Sequence, residues 1–82
     1  MKIESPLKTL RQIPIGGRAR VVRVGGEGPL RRRLLDMGIT KGVILQVLKS
    51  APLGDPVEIS LRGYRLSLRK SEGDRLQLDE IS

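Results

Sequence analysis

Val57, Ile59 and Leu61 alternate with Glu58 and Ser60, two residues (Arg62-Gly63) intervene, and Tyr64, Leu66 and Leu68 then alternate with Arg65, Ser67 and Arg69. Side chains on a strand point to opposite faces with a period of two, so two alternating runs joined by two residues, the second a glycine, predict a tight β-hairpin with one apolar face. Further strand signals surround it. Residues 18–24 read Arg-Ala-Arg-Val-Val-Arg-Val, a strand whose alternation breaks at Val21-Val22, a candidate bulge. Residues 43–48 are β-branched and apolar enough for a buried strand, and Leu76 and Leu78 open a last one reaching about Ile81. Residues 51–56, which include Gly54, Asp55 and Pro56, form a turn-rich loop, and residues 71–74 a tight turn. Five short strands in so short a chain predict a mainly β fold, a small, highly curved barrel that hides its own edges.

One helix interrupts the strands. Pro29 suits the first helical position, where its missing N–H would be unpaired in any case. Gly38 suits the left-handed residue just past the helix end, and Gly42 a further turn. Leu30, Leu34 and Met37 recur at i, i+4 and i+7, one apolar stripe for the core with Leu35 beside it. Arg31, Arg32 and Arg33 crowd the first turn, where the helix dipole is already positive, each at a cost of roughly 0.3–1 kcal/mol before screening. Glu27 and Asp36 offset only part of that. An anionic partner is the physical reason such a charge pattern would persist. Ahead of the first strand, Ser5-Pro6 offers an N-cap and a proline start, Leu7 and Leu10 are spaced for one helical turn, and Pro14 with Gly16-Gly17 ends it.

The 82 residues suffice for one domain, its core at about residues 7–81, near the lower size limit for a self-sufficient core. The apolar residues are almost all Leu, Ile and Val. No apolar run reaches the roughly 20 residues of a membrane span, and no secretory hydrophobic region opens the chain, so the expected home is the cytoplasm. The absence of Cys and His removes disulfides, Cys/His zinc sites and Ser-His or Cys-His catalysis. A hard-metal site made of carboxylates alone stays open, at a protein interface for instance, but the acids are scattered along the chain. No enzyme, cofactor or metal site is expected.

The net charge of +7 is lopsided. Residues 1–50 carry eleven Lys/Arg against three acids, a balance of +8, and residues 51–82 carry five against six, a balance of −1. The first half is an electropositive body suited to an acidic partner. Gly25-Gly26-Glu27-Gly28 lies between strand and helix, yet no Gly is followed by Lys and then Ser/Thr, and Arg31 stands where a dinucleotide fingerprint needs its third glycine. Nucleic acid is the second reading, since Arg18, Arg20, Arg23 and the triple arginine could track phosphates. Against it, Tyr64 is the sole aromatic, and single-strand binders stack bases on aromatic platforms.

The order Arg32-Arg33-Leu34-Leu35-Asp36-Met37-Gly38-Ile39, Gly42, residues 51–56, Arg62-Gly63 and residues 66–72 resembles the ferrous iron transport protein A (FeoA) family over about residues 7–81. Gly73 departs from the family's usual Ala, and Thr40-Lys41 from its usual Arg/Lys-Pro. The resemblance implies an SH3-like barrel and a small cytoplasmic accessory of bacterial ferrous iron uptake. It implies as partner the large membrane transporter of that system, FeoB, with its cytosolic GTP-binding domain. Similar domains are fused to metal-dependent repressors; with no DNA-binding half in these residues, a free-standing transport accessory is expected. With neither imidazole nor thiolate to hold Fe(II), binding is expected over iron handling. Arg31, Arg32 and Arg33, with Arg18 or Arg20, are the expected docking face on an acidic surface. Leu30, Leu34, Met37, Gly38, Gly42, Gly54, Asp55, Pro56 and Gly63 are expected to be structural, with the Asp55-Pro56 tip a possible partner contact. Tyr64 is read as a half-buried barrel residue over an interface anchor, and exposed sheet edges leave weak self-association open.

Overall fold

The computed structural model describes residues 7–81. Five antiparallel strands, β1 (Arg18–Val24), β2 (Ile44–Ser50), β3 (Val57–Leu61), β4 (Tyr64–Leu68) and β5 (Leu76–Ile81), form one sheet in the order β4-β3-β2-β1-β5. β4 and β5 do not pair, so the barrel is curved but not strictly closed. A helix, α1 (Gly28–Asp36), follows β1, and a single helical turn, α2 (Lys70–Gly73), joins β4 to β5. No helix among the described residues is long and apolar enough to cross a membrane.

The hairpin forms as its alternation requires. Leu61 faces Tyr64, and the two linking residues have positive φ, 51° at Arg62 and 85° at Gly63. That combination is the two-residue turn whose twist matches the strands. Val57, Ile59, Leu61 and Leu68 point into a core that is wholly aliphatic among its fully buried members and also takes in Ala19, Val21, Leu34, Ile39, Leu45, Leu76 and Leu78. The bulge expected in β1 is present, with Val21 opposite Leu78 and Arg23 opposite Gln77, so that Val22 is the extra residue. A second bulge, between Val47 and Lys49, bends β2, and no local sequence signal marked it.

Four expectations need correction. β2 is buried on one face only, with Ile44 exposed and Gln46 and Leu48 half-buried, because its outer side is left open by the sheet. The N-terminal turn is a 3-10 turn at Leu10–Gln12, not a turn spanning Leu7 and Leu10. Lys8 exchanges two backbone hydrogen bonds with Leu78, at 2.8 and 2.7 Å, which holds that segment extended alongside β5. The turn is closed instead by Gln12 Oε1 accepting from Thr9 N at 2.8 Å. The proposed Ser5-Pro6 start lies outside the described residues. Residues 71–74 are not a simple turn: α2 is a helical turn ending at Asp74, and a Cβ on Gly73 would sit 2.6 Å from Leu10 Cβ. Glycine there lets α2 lie against the 3-10 turn. Leu30, finally, is half-buried and outside the core cluster that holds Leu34, with Leu35 and Met37 packed on its edge.

The end of α1 is the tightest joint in the fold. Gly38, at φ 94°, donates to Leu35 O at 3.0 Å, and Ile39 N donates to Leu34 O at 3.1 Å. This is the paired closure of a Schellman motif, in which the two residues flanking the turn are apolar. Both Leu34 and Ile39 are completely buried in the one core. Tyr64, exposed on the hairpin and not half-buried as expected, donates its hydroxyl to Met37 O at 2.6 Å, satisfying a helix-end carbonyl. A side chain on Gly38 would meet both the backbone restriction and the Tyr64 hydroxyl. Gly38→Ala is therefore expected to cost about 1–3 kcal/mol, and Tyr64→Phe about 1 kcal/mol, in urea denaturation. Leu53, 94% exposed, sits on the β2–β3 loop, and Leu53→Ser should stay within ~0.5 kcal/mol of the parent.

Candidate functional site

Successive helical residues are turned by about 100°, so burying Leu34 fixes where the three arginines go. Arg31 falls on one flank of α1, Arg33 on the other, and Arg32 opposite the core. They do not form one face. Arg33 turns toward α2, where its guanidinium lies 3.2 Å from Glu72 Oε2. The Glu72 carboxylate is buried, with only 6% of its side chain exposed. Its other oxygen accepts from Arg69 N at 2.9 Å, which caps the first turn of α2. Arg33 thus stabilises a buried carboxylate, a role for which no local pattern in residues 28–36 gives a signal. The pairings of the triple arginine with Glu27 and Asp36 do not form as ion pairs among the described residues; Glu72 supplies the compensation.

Arg31 turns the other way. Its Nε donates to Val24 O at 3.2 Å, the last residue of β1. The remaining guanidinium nitrogens are left at the wall of a groove of about 450 Å³ between β1 and α1. Arg23 and Lys41 complete its positive lining, with Gln77, Val22 and Leu35 among the rest, and no carboxylate of the described residues lines it. Val22 is the bulged residue of β1, and Lys41 stands in the turn that follows the helix closure. Arg23, Arg31 and Lys41 belong to none of the ion pairs among the described residues. Beyond Gly26 a more open hollow shares Arg23 and adds Arg75, Leu30 and Glu27.

Arg18 and Arg20 are exposed on the outer face of β1, opposite Gln46 and Ile44 of β2 and Ile81 and Asp79 of β5. Neither arginine lines the groove, although Arg20 is only two residues from Val22, which does. The arginines that the structure gathers are Arg31 with Arg23. Lys41 joins them through chain geometry that spacing alone does not reveal. Among the expected structural residues, Gly42 donates its N–H to Val21 O at 2.7 Å, and Asp55 Oδ1 accepts from Lys70 N at 3.0 Å, tying the β2–β3 loop to α2. Gly54 and Pro56 shape that loop, whose Gly54 N–H donates to Ala51 O at 2.6 Å. A separate apolar hollow of about 230 Å³ lies beneath it, lined by Ile13, Pro14, Ile15, Val47 and Val57 with Lys70. No group of three or more carboxylates that could hold a metal ion occurs among the described residues.

The comparisons with known proteins converge. The FeoA domain family model matches residues 8–79. A Porphyromonas gingivalis protein described as an Fe(2+) transport protein A/Fe(2+) transporter FeoB fusion is 37% identical over 73 residues, 89% of this chain. The chain spans only 9% of that fusion protein's length. Among solved structures, a FeoA-like protein from Clostridium acetobutylicum superposes with a TM-score of 0.88 at 34% identity, covering 96% of this chain and 92% of that one. FeoA from Stenotrophomonas maltophilia, solved with zinc and described as an SH3 domain protein, gives a TM-score of 0.77 at 29% identity over 88% of this chain and 89% of that one.

The Arg33–Glu72 geometry predicts unequal effects. Glu72→Ala should lower stability by about 1–3 kcal/mol, since it removes a charged cap as well as the ion pair. Arg33→Ala, from a residue whose side chain is 65% exposed, should cost no more than ~1 kcal/mol. Thermal or urea unfolding of the two variants checks the ranking.

Proposed function

This chain belongs to the FeoA domain family, and from that premise we propose that it is a non-enzymatic cytoplasmic accessory of ferrous iron uptake that binds the cytosolic GTP-binding part of the transporter FeoB. The observation carrying this reading is the relative in which an equivalent domain is joined to FeoB in one polypeptide. Domains held on one chain meet at effective concentrations up to the millimolar range, so the contact that evolves between them can be weak and guided by charge. The basic groove between β1 and α1 supports such a contact. Its cations are compact and lie beside apolar side chains, where a phosphate backbone would be better followed by a longer stripe. Arg32 is exposed on α1 next to Arg31 but outside the groove lining, whereas Arg33 belongs to the framework.

The test is a titration of the full chain against the cytosolic part of FeoB, with and without GTP, and with random-sequence DNA as control. The double variant Arg31→Glu/Arg32→Glu should weaken binding by about tenfold at low salt, from one groove charge and one neighbouring surface charge at ~0.5–1 kcal/mol each. It should also flatten the dependence on salt. Unchanged binding removes the arginines from the contact. Tight, salt-sensitive binding to DNA with none to FeoB replaces the reading by nucleic-acid recognition.

A further inference from the structure

The chemistry of the β1–α1 groove specifies more than a sign of charge. Arg31 is held by its Nε at Val24 O, which leaves the guanidinium terminal nitrogens for an oxyanion in a fixed direction. Arg23 and Lys41 stand on the same groove, Gln77 offers an amide, and Val22, Val24 and Leu35 give it an aliphatic lining. The groove is an open trough of about 450 Å³. No aromatic lines it to stack a base, and the adjoining glycine turn fails the phosphate-loop and dinucleotide patterns. Three cations around an aliphatic lining, outside every ion pair among the described residues and with no carboxylate among them, complement a short peptide segment that carries two carboxylates around an aliphatic side chain.

We infer that this groove is the socket for such an acidic-aliphatic-acidic segment of the protein partner, with Arg31 and Lys41 taking the carboxylates and Leu35 and Val22 the aliphatic side chain. The inference rests on the proposed binding to FeoB and specifies what that partner presents. Arg23, placed after the bulge opposite Gln77, sets the polar end of the trough. Arg18 and Arg20 on the outer sheet face are not part of it.

The test uses the whole chain labelled with nitrogen-15 and the capped peptide acetyl-Gly-Glu-Leu-Glu-Gly-amide. Matched peptides replace both Glu by Gln, or Leu by Ser, and inorganic phosphate and a short single-stranded DNA are run in parallel. Amide shifts should concentrate at Val22, Arg23, Leu35, Lys41 and Gln77 with the acidic leucine peptide. They should fall at least about fivefold in amplitude with the Gln peptide, and clearly with the Ser peptide, as expected when both charge and apolar burial contribute. Lys41→Glu, an exposed turn residue, should abolish them without altering the rest of the spectrum. Arg31→Glu should also abolish the peptide response, with changes of its own near Val24, whose carbonyl loses the Arg31 Nε donor, and Arg31→Lys should restore the response only partly because the bidentate fork is lost. Three results overturn the socket: no shifts at the groove, equal shifts with the Gln or Ser peptide, or shifts from phosphate or DNA as large as those from the acidic peptide. If FeoB binds but its shifts miss these residues, the socket fails and the binding reading stands. If FeoB does not bind at all, both fail.

Discussion

The left-handed closure at Gly38 sets the orientation on which the rest of this molecule depends. It sends Ile39 back beneath α1, so that Leu34 and Ile39 enter the core from the two sides of the helix end. Tyr64 then clamps the last carbonyl from the far end of the hairpin. A short helix with a single fully buried residue has little packing to resist rolling about its own axis. The closure supplies what packing does not, because two backbone hydrogen bonds set the turn at the helix end and the Tyr64 hydroxyl ties that end to β4. Once that roll is fixed, Arg31 must face β1 and Arg33 must face α2. The site is a consequence of a backbone turn nearly two helical turns away.

The second half of the chain serves the first as a frame. Asp55 of the β2–β3 loop accepts from the start of α2, Glu72 caps that same turn and holds Arg33, and Asp74 grips Arg11 through two hydrogen bonds of 2.8 and 2.7 Å. Glu80 pairs with Lys8 across β5. Each contact is modest alone, since partly exposed ion pairs contribute at most ~1 kcal/mol. Together they fasten α2 and the 3-10 turn over the gap between β4 and β5 that the sheet leaves unpaired. Glycine at position 73, where a side chain would strike Leu10, is what allows the two short elements to lie so close.

The period-two runs made the hairpin, β1 and β5 legible in the sequence, because alternation and turn chemistry are local. The bulge at Val22 was legible for the same reason: it breaks a local pattern. What could not be read was set by contacts distant along the chain. Lys8 pairs with Leu78, seventy residues later, and that pairing overrides the helical spacing of Leu7 and Leu10. Glu72 claims Arg33 from a different element, which split an arginine triplet that looked like one face. The groove combines a strand end, a helix flank and a turn, so its two extra cations, Arg23 and Lys41, were individually visible but not visibly together. The family resemblance supplied the fold but not this grouping, which depends on where a strand end, a helix flank and a turn meet in space.

The distribution of acids gives the groove its meaning. Of the six acids in residues 51–82, Asp55, Glu58, Glu72, Asp74 and Glu80 are engaged by backbone or cations within the fold. Four of the five cations they pair with, Lys8, Arg11, Arg33 and Lys49, come from the basic first half. Folding therefore uses the acidic half to neutralise selected basic residues, and it leaves others alone. A charge excess kept only for solubility would be expected to mix signs over the surface. Arg23, Arg31 and Lys41 beside the aliphatic trough of β1 and α1 have no carboxylate partner among the described residues, as is also true of Arg18, Arg20 and Arg32 on other surfaces, whereas Lys8, Arg11, Arg33, Lys49 and Arg65 are paired. An acidic chain segment seated in this groove would supply the counter-charge that the described residues do not.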